Sequence, residues 1–202
     1  MEIRTVTKEE FKKLNNGNTV SCRIVRHLTE VKPIWIGDSK VGYMMNFDNR
    51  GSIAVGFNGA IIKFRVNGTI SSKNHNRSSG HWKDNIYAKS VTFERLVMIA
   101  HAVYTNRIPV KIEKLDVNVM DASGNYNTAK RFKIRQNFNP ENLEWTLREY
   151  NRAHFETIKQ LYRIFNKVYR VSANDLAFYE LCQLGNKAEI EDYIIKNNIQ
   201  VA

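Results

Sequence analysis

Asn142, Asn151 and His154 stand nine and then three positions apart in NPENLEWTLREYNRAH, residues 139–154. Each has an ordinary explanation alone. Asn142 suits a turn that caps a helix start, His154 a surface or interface, and Trp145 a core. It is the joint spacing that asks for chemistry. Two other histidines, His75 and His81, lie six residues apart in SSKNHNRSSGHWKDN, where a pair of imidazoles could share a metal. No Cys or acidic cluster stands near them in support. His27 alternates with apolar residues and reads as structural. Cys22 and Cys182 are solitary, which makes neither a zinc motif nor a disulfide framework. The remaining chemistry-bearing group is cationic: Lys130, Arg131, Lys133 and Arg135, interleaved with Phe132 and Ile134. Strand alternation sends Arg131, Lys133 and Arg135 to one face, a row that suits phosphate contact more than base reading.

The elements that must position these residues follow from pattern. Thr7-Lys-Glu-Glu10 has the spacing of a capping box, so a short helix should follow and stop near Asn16-Gly17. From Thr19 to about Val66 the segments TVSCRIVRHL, GYMMNF, SIAVGF and IIKFRV predict an antiparallel β region. Residues 71–85 read as a polar loop. In VTFERLVMIAHAVY, Phe93, Leu96, Val97, Ala100, Val103 and Tyr104 share a helical face, and Pro109 should end that element. PVKIEKLDVNVM and TAKRFKIRQN read as two strands around the turn DASGN. A long helix should begin near Leu147, with Ile158, Leu161, Tyr162, Phe165, Val168 and Tyr169 on its core side. Arg148, Arg152, Lys159, Arg163, Lys167 and Arg170 fall largely on another side, as a cationic stripe. The last stretch predicts two short helices broken at Gly185. The class is α+β: a β-rich portion over 1–90, a ββα region with the long basic helix over 91–171, and an acidic helical extension over 172–202.

A hydrophobic fraction of 43% is enough for a real core, and a formal charge of +11 biases the partners toward polyanions, nucleic acid first. The charge is uneven. Residues 172–202 hold Lys187 and Lys196 against Asp175, Glu180, Glu189, Glu191 and Asp192, a net of −3, so residues 1–171 carry +14. The opening MEIRTVTKEEF has no apolar signal core and no run of about 18 apolar residues follows, which predicts a soluble, cytoplasmic protein.

NLEWTLREYNRAH resembles the C-terminal half of the HNH motif of phage and intron homing endonucleases. VTFERLVMIA resembles the helix that precedes the active site in that family, and VNVMDASGN its Asn/Asp-His-x-Asp-Gly-Asn element, so the likeness spans about residues 40–156. The resemblance implies a β-hairpin on a helix with one divalent metal, such as Mg²⁺, between them. A histidine on the first strand would be the general base, the Asn142 position would brace the loop carrying it, and the Asn151 and His154 positions would face the metal. The departures matter. Val119 occupies the general-base position, Asn118 replaces a frequent Asp ligand, and Glu94 replaces the upstream histidine. The interval from Asp121 to Asn142 is also longer than usual for the family. Losing a general base removes about two to four orders of magnitude in rate. Asn118, Asn142, Asn151 and His154 then read as vestiges, with no cofactor required.

Three functions follow as expectations. One is a nucleic-acid-binding, cleavage-deficient protein of a bacteriophage, acting in the bacterial cytoplasm on double-stranded DNA. A second is a phage interaction protein that binds a host protein, such as a defence nuclease in the manner of an anti-CRISPR, or RNA polymerase. The acidic tail would then be a partner-binding or dimerising element. The third is an active Mg²⁺-dependent nicking endonuclease whose base comes from Asp116, His101, His75 or His81.

Overall fold

The computed structural model describes residues 3–14, 17–74, 83–86, 89–121 and 137–202. The chain is α+β and divides into two compact units. The first comprises residues 2–114 and 135–141; the second comprises 115–134 and 142–202 together with Met1.

The first unit begins with β1 (Thr5–Val6) and α1 (Lys8–Lys13). The Thr7/Glu10 capping box is formed in both directions, as its spacing predicts. The next element departs from expectation. TVSCRIVRHL forms not a strand but α2 (Val20–His27), capped by Thr19, whose Oγ1 accepts from the Cys22 amide at 3.4 Å. Its β-branched residues suggest a strand, yet Ser21, Cys22, Ile24 and Val25 bury one helical face, and burial overrides propensity. His27 therefore ends a helix and is exposed.

A five-stranded antiparallel meander follows, in the order β2 (Leu28–Ile36), β3 (Ser39–Phe47), β4 (Gly51–Gly56), β5 (Ala60–Phe64), β6 (Ile70–Asn74). Tyr43, Met45, Val55, Ile53 and Ile61 lie on one face by register and are buried. At the start of β4, Gly51 has φ +83°, and a Cβ there would lie 1.9 Å from the Phe64 carbonyl, so only glycine fits. The expected polar loop at 71–85 is shorter than predicted, because 71–74 belong to β6 and 83–85 to β7 (Lys83–Ile86), which pairs with β8 (Lys89–Thr92). His75 and His81 lie outside the described residues.

α3 (Phe93–Tyr104) is the expected helix, and it packs on β2 and β3. It stops before Pro109: Thr105 caps it and Asn106 turns left-handed at φ 55°. Pro109 instead belongs to β9 (Ile108–Pro109), paired with β1. Phe138, 1% exposed, returns to this unit: its ring centroid is 4.6 Å from that of Phe93, and its amide donates to the Phe57 carbonyl at 3.0 Å.

The second unit is a ββα element followed by two helices. Beyond Pro109, PVKIEKLDVNVM is strand only over β10 (Leu115–Val119), after a 3₁₀ turn at Ile112–Lys114. β10 pairs antiparallel with β11 (Leu143–Leu147), which runs directly into α4 (Arg148–Phe165). The proposed second strand 128–137 lies, except for Asn137, outside the described residues. α4 ends earlier than its apolar pattern suggests. Asn166 adopts φ 52° and closes it, so Val168 and Tyr169 reach the core from beyond the helix. α5 (Leu176–Leu184) and α6 (Lys187–Lys196) are the two expected helices, with Gly185 at φ 72° between them. Their apolar faces meet that of α4: Ile158, Leu161, Val171, Phe178, Cys182, Ile190 and Ile194 form one buried cluster. Residues 172–202 are thus half of this unit's core, and α3 falls in the other unit from β10 and β11. Among the described residues, no helix is long and apolar enough to cross a membrane.

Candidate functional site

β10 and β11 are in a register that sets Asn118 opposite Glu144 and Asp116 opposite Thr146. Side chains alternate along a strand, so these four share a face while Val117, Val119, Leu143 and Trp145 share the other. Asn118 and Thr146 are 3% and 0% exposed, which for polar groups requires hydrogen-bond partners. Asn118 finds its partner across the strands: Nδ2 donates to Glu144 Oε1 at 2.8 Å.

The remaining partners come from the segment after α4. The Ala173 amide donates to Glu144 Oε1 at 2.5 Å, and the Ser172 hydroxyl to Oε2 at 2.5 Å. Asn174 Nδ2 reaches Oε2 at 3.0 Å and also the Trp145 carbonyl at 3.1 Å, while its Oδ1 accepts from Thr146 Oγ1 at 3.1 Å. The Glu144 carboxylate is therefore a hub that fastens residues 172–174 to the hairpin.

α4 contributes from its buried side. His154, 7% exposed, donates Nε2–H to the Val171 carbonyl at 2.9 Å. A carbonyl can only accept, so the proton is on Nε2 and the lone pair on Nδ1. Burial holds the imidazole below its ordinary pKa, opposed by the Glu144 charge and the Val171 bond. Asn151 lies three residues earlier on the same side of α4, half-buried. Residues 171–174 thus bond to both the hairpin and the helix, through Glu144 and His154.

Asn142 is 3% exposed and caps no helix; it precedes β11. Its Oδ1 accepts from the Asp121 amide at 3.1 Å, and its carbonyl from the Met120 amide at 3.0 Å. It ties down the chain that leaves β10.

The chain matches no family model, no curated protein and no solved structure.

Asn118, Asn142, Asn151 and His154 all fall in the ββα element, with Asn118 and His154 linked through Glu144 and residues 171–174. Val119 is half-buried on the opposite strand face from Asn118. Asp116, half-buried, shares the Asn118 face, whereas His101 belongs to the first unit and there meets the Tyr43 hydroxyl at 2.8 Å. Glu94 lies in the first turn of α3, also in the first unit.

Lys130, Arg131, Lys133 and Arg135 lie outside the described residues. Arg148, Arg152 and Arg163 are exposed on α4; Lys159 bridges to Glu156 at 2.9 Å. Lys167 and Arg170 are exposed but follow the helix end, so they do not extend the stripe.

A hard divalent cation fits this donor set poorly. Mg²⁺ keeps several waters in its octahedron and is held to a protein through one or two carboxylates. Asn151 and His154 bring one neutral amide oxygen and one imidazole nitrogen, and the Glu144 oxygens already receive Asn118, Ser172, Ala173 and Asn174. The sequence motifs do not point to the Glu144 hub. Its partners lie 26 to 30 positions away in sequence, a range at which no local pattern speaks.

Proposed function

We propose that this chain is a nucleic-acid-binding protein on an HNH-type ββα scaffold that no longer cleaves, with double-stranded DNA as its polyanion. The observation that carries the reading is the outward face of α4, where Arg148, Arg152 and Arg163 are exposed on a chain of net charge +11. Loss of cleavage is supported by the valine at 119 and by the hydrogen bonds that occupy the Glu144 carboxylate. A general base must offer a lone pair to water, and Val119 has none.

Fluorescence anisotropy with a labelled duplex tests the binding. Three to four phosphate contacts give a salt slope of about −3, so affinity should fall about 40- to 150-fold between 50 and 200 mM salt. Replacing Arg148, Arg152 and Arg163 by alanine should flatten the slope by about 3. An affinity indifferent to salt sinks the proposal.

A second reading, a phage protein that binds a host protein, is favoured by the tip of the β2–β3 hairpin, where Trp35 and Ile36 are 55% and 72% exposed. Exposed aromatic anchors are the usual centre of protein interfaces. Its test is a stoichiometric partner retained from bacterial lysate after nuclease treatment and lost on Trp35→Ala.

A further inference from the structure

α4 advances about 100° per residue, so positions 148, 152, 155, 159 and 163 form one stripe about 22 Å long. It lies opposite His154, Thr157, Ile158 and Leu161, the buried face. Four of its five positions are Arg148, Arg152, Lys159 and Arg163. The fifth is Phe155, 45% exposed and the exposed large apolar side chain on this helix. Lys159 is held by Glu156 at 2.9 Å and lies over the Phe155 ring at 4.2 Å from its centroid. The ring is thus half uncovered and flanked along the helix by cations, one of which is tethered beside it.

Among the described residues Phe155 is the one large apolar side chain exposed on α4. A single ring amid cations is a poor anchor for a protein partner, which needs a contiguous apolar patch. It is well suited to nucleic acid, where cations meet phosphates and an apolar ring meets the face of a base. We infer that Phe155 is a wedge for an unstacked base, and that the ligand of α4 is a duplex carrying an unpaired base, with Arg148, Arg152 and Arg163 on the flanking phosphates. The inference rests on the nucleic-acid reading above and specifies its substrate. A fully paired duplex offers the ring nothing until a base step is opened, whereas a bulge presents a base whose unstacking is already met.

The test uses the full chain and two labelled duplexes of one sequence, the second with a single extra unpaired base, in the same buffer. The unmodified protein should bind the bulged duplex at least about 5-fold tighter, the lower end of the value of a base–aromatic stack. Phe155→Ala should bring that ratio near one and leave the paired affinity within about 2-fold, while Phe155→Tyr should keep the preference. Arg152→Ala should weaken both duplexes alike. Circular dichroism and thermal melting confirm that each variant is folded. Equal affinity for the two duplexes, or a preference that survives Phe155→Ala, overturns the inference and leaves the binding reading standing. Binding to neither duplex overturns both.

Discussion

Replacing Glu144 by alanine removes the acceptor of Asn118 Nδ2, the Ser172 hydroxyl, the Ala173 amide and Asn174 Nδ2 together. The loss is unequal among them. Asn174 keeps the Trp145 carbonyl, and a serine hydroxyl can rotate to another acceptor. Asn118 Nδ2 and the Ala173 amide belong to residues 3% and 6% exposed, and each loses the Glu144 oxygen it was given. A buried donor left unsatisfied costs about 1–3 kcal/mol, so the pair should cost about 2–6 kcal/mol, a large share of the roughly 5–15 kcal/mol that holds a domain folded. Glu144→Gln keeps one acceptor oxygen and the side-chain shape, and should cost about 1–2 kcal/mol. Urea unfolding followed by circular dichroism gives the ordering. Hydrogen exchange at the Ala173 amide gives the cause, since its protection should drop in Glu144→Ala before other amides change. If Glu144→Ala is stable to within about 0.5 kcal/mol and the Ala173 amide stays protected, the hub does not fasten residues 172–174 and the reasoning fails.

Two further outcomes follow from the same structure. His154 is held below its ordinary pKa by burial, so the unfolded chain takes up a proton near pH 6.5 that the folded one refuses. Stability from this group is complete above that pH and is lost as pH falls toward the folded value, by at most about 1.4 kcal/mol per pH unit. His101, also lowered by burial and then by Lys40, contributes with the same sign. Urea midpoints measured above and below pH 6.5 should differ in that direction, and His154→Gln should flatten part of the slope. In the first unit, Phe138→Ala should cost about 3–5 kcal/mol and Phe138→Leu under about 1.5, because the ring fills a closed site against Phe93. A thermal melt that Phe138→Ala leaves unchanged contradicts the anchoring of this residue in that core.

What the sequence makes legible is local. α3 follows from apolar residues at helical spacing, and α5 and α6 from a glycine that tolerates φ 72° followed by Asn186, whose Oδ1 caps the next helix. α2 escapes notice because its cysteine, isoleucine and valine favour strands and only tertiary burial chooses the helix. The end of α4 is hidden for the opposite reason: Val168 and Tyr169 continue the helical spacing, yet Asn166 turns the chain first. The four motif residues can be picked out from the sequence, but the carboxylate that joins Asn118 to residues 172–174 cannot. Glu144 sits in β11 with the look of a solvated strand residue, and three of its four partners lie beyond an intervening helix. The Ser-Ala-Asn-Asp run after the helix is the one available hint, since such residues turn to bond the backbone and each other.

The most direct test of the account is supercoiled plasmid incubated with the full chain and Mg²⁺ or Mn²⁺ at low salt, then freed of protein before electrophoresis. The plasmid should migrate more slowly while the protein is bound and run as an unchanged supercoiled band once it is removed. Nicked circles that appear with the unmodified protein and vanish with Asn151→Ala would contradict it.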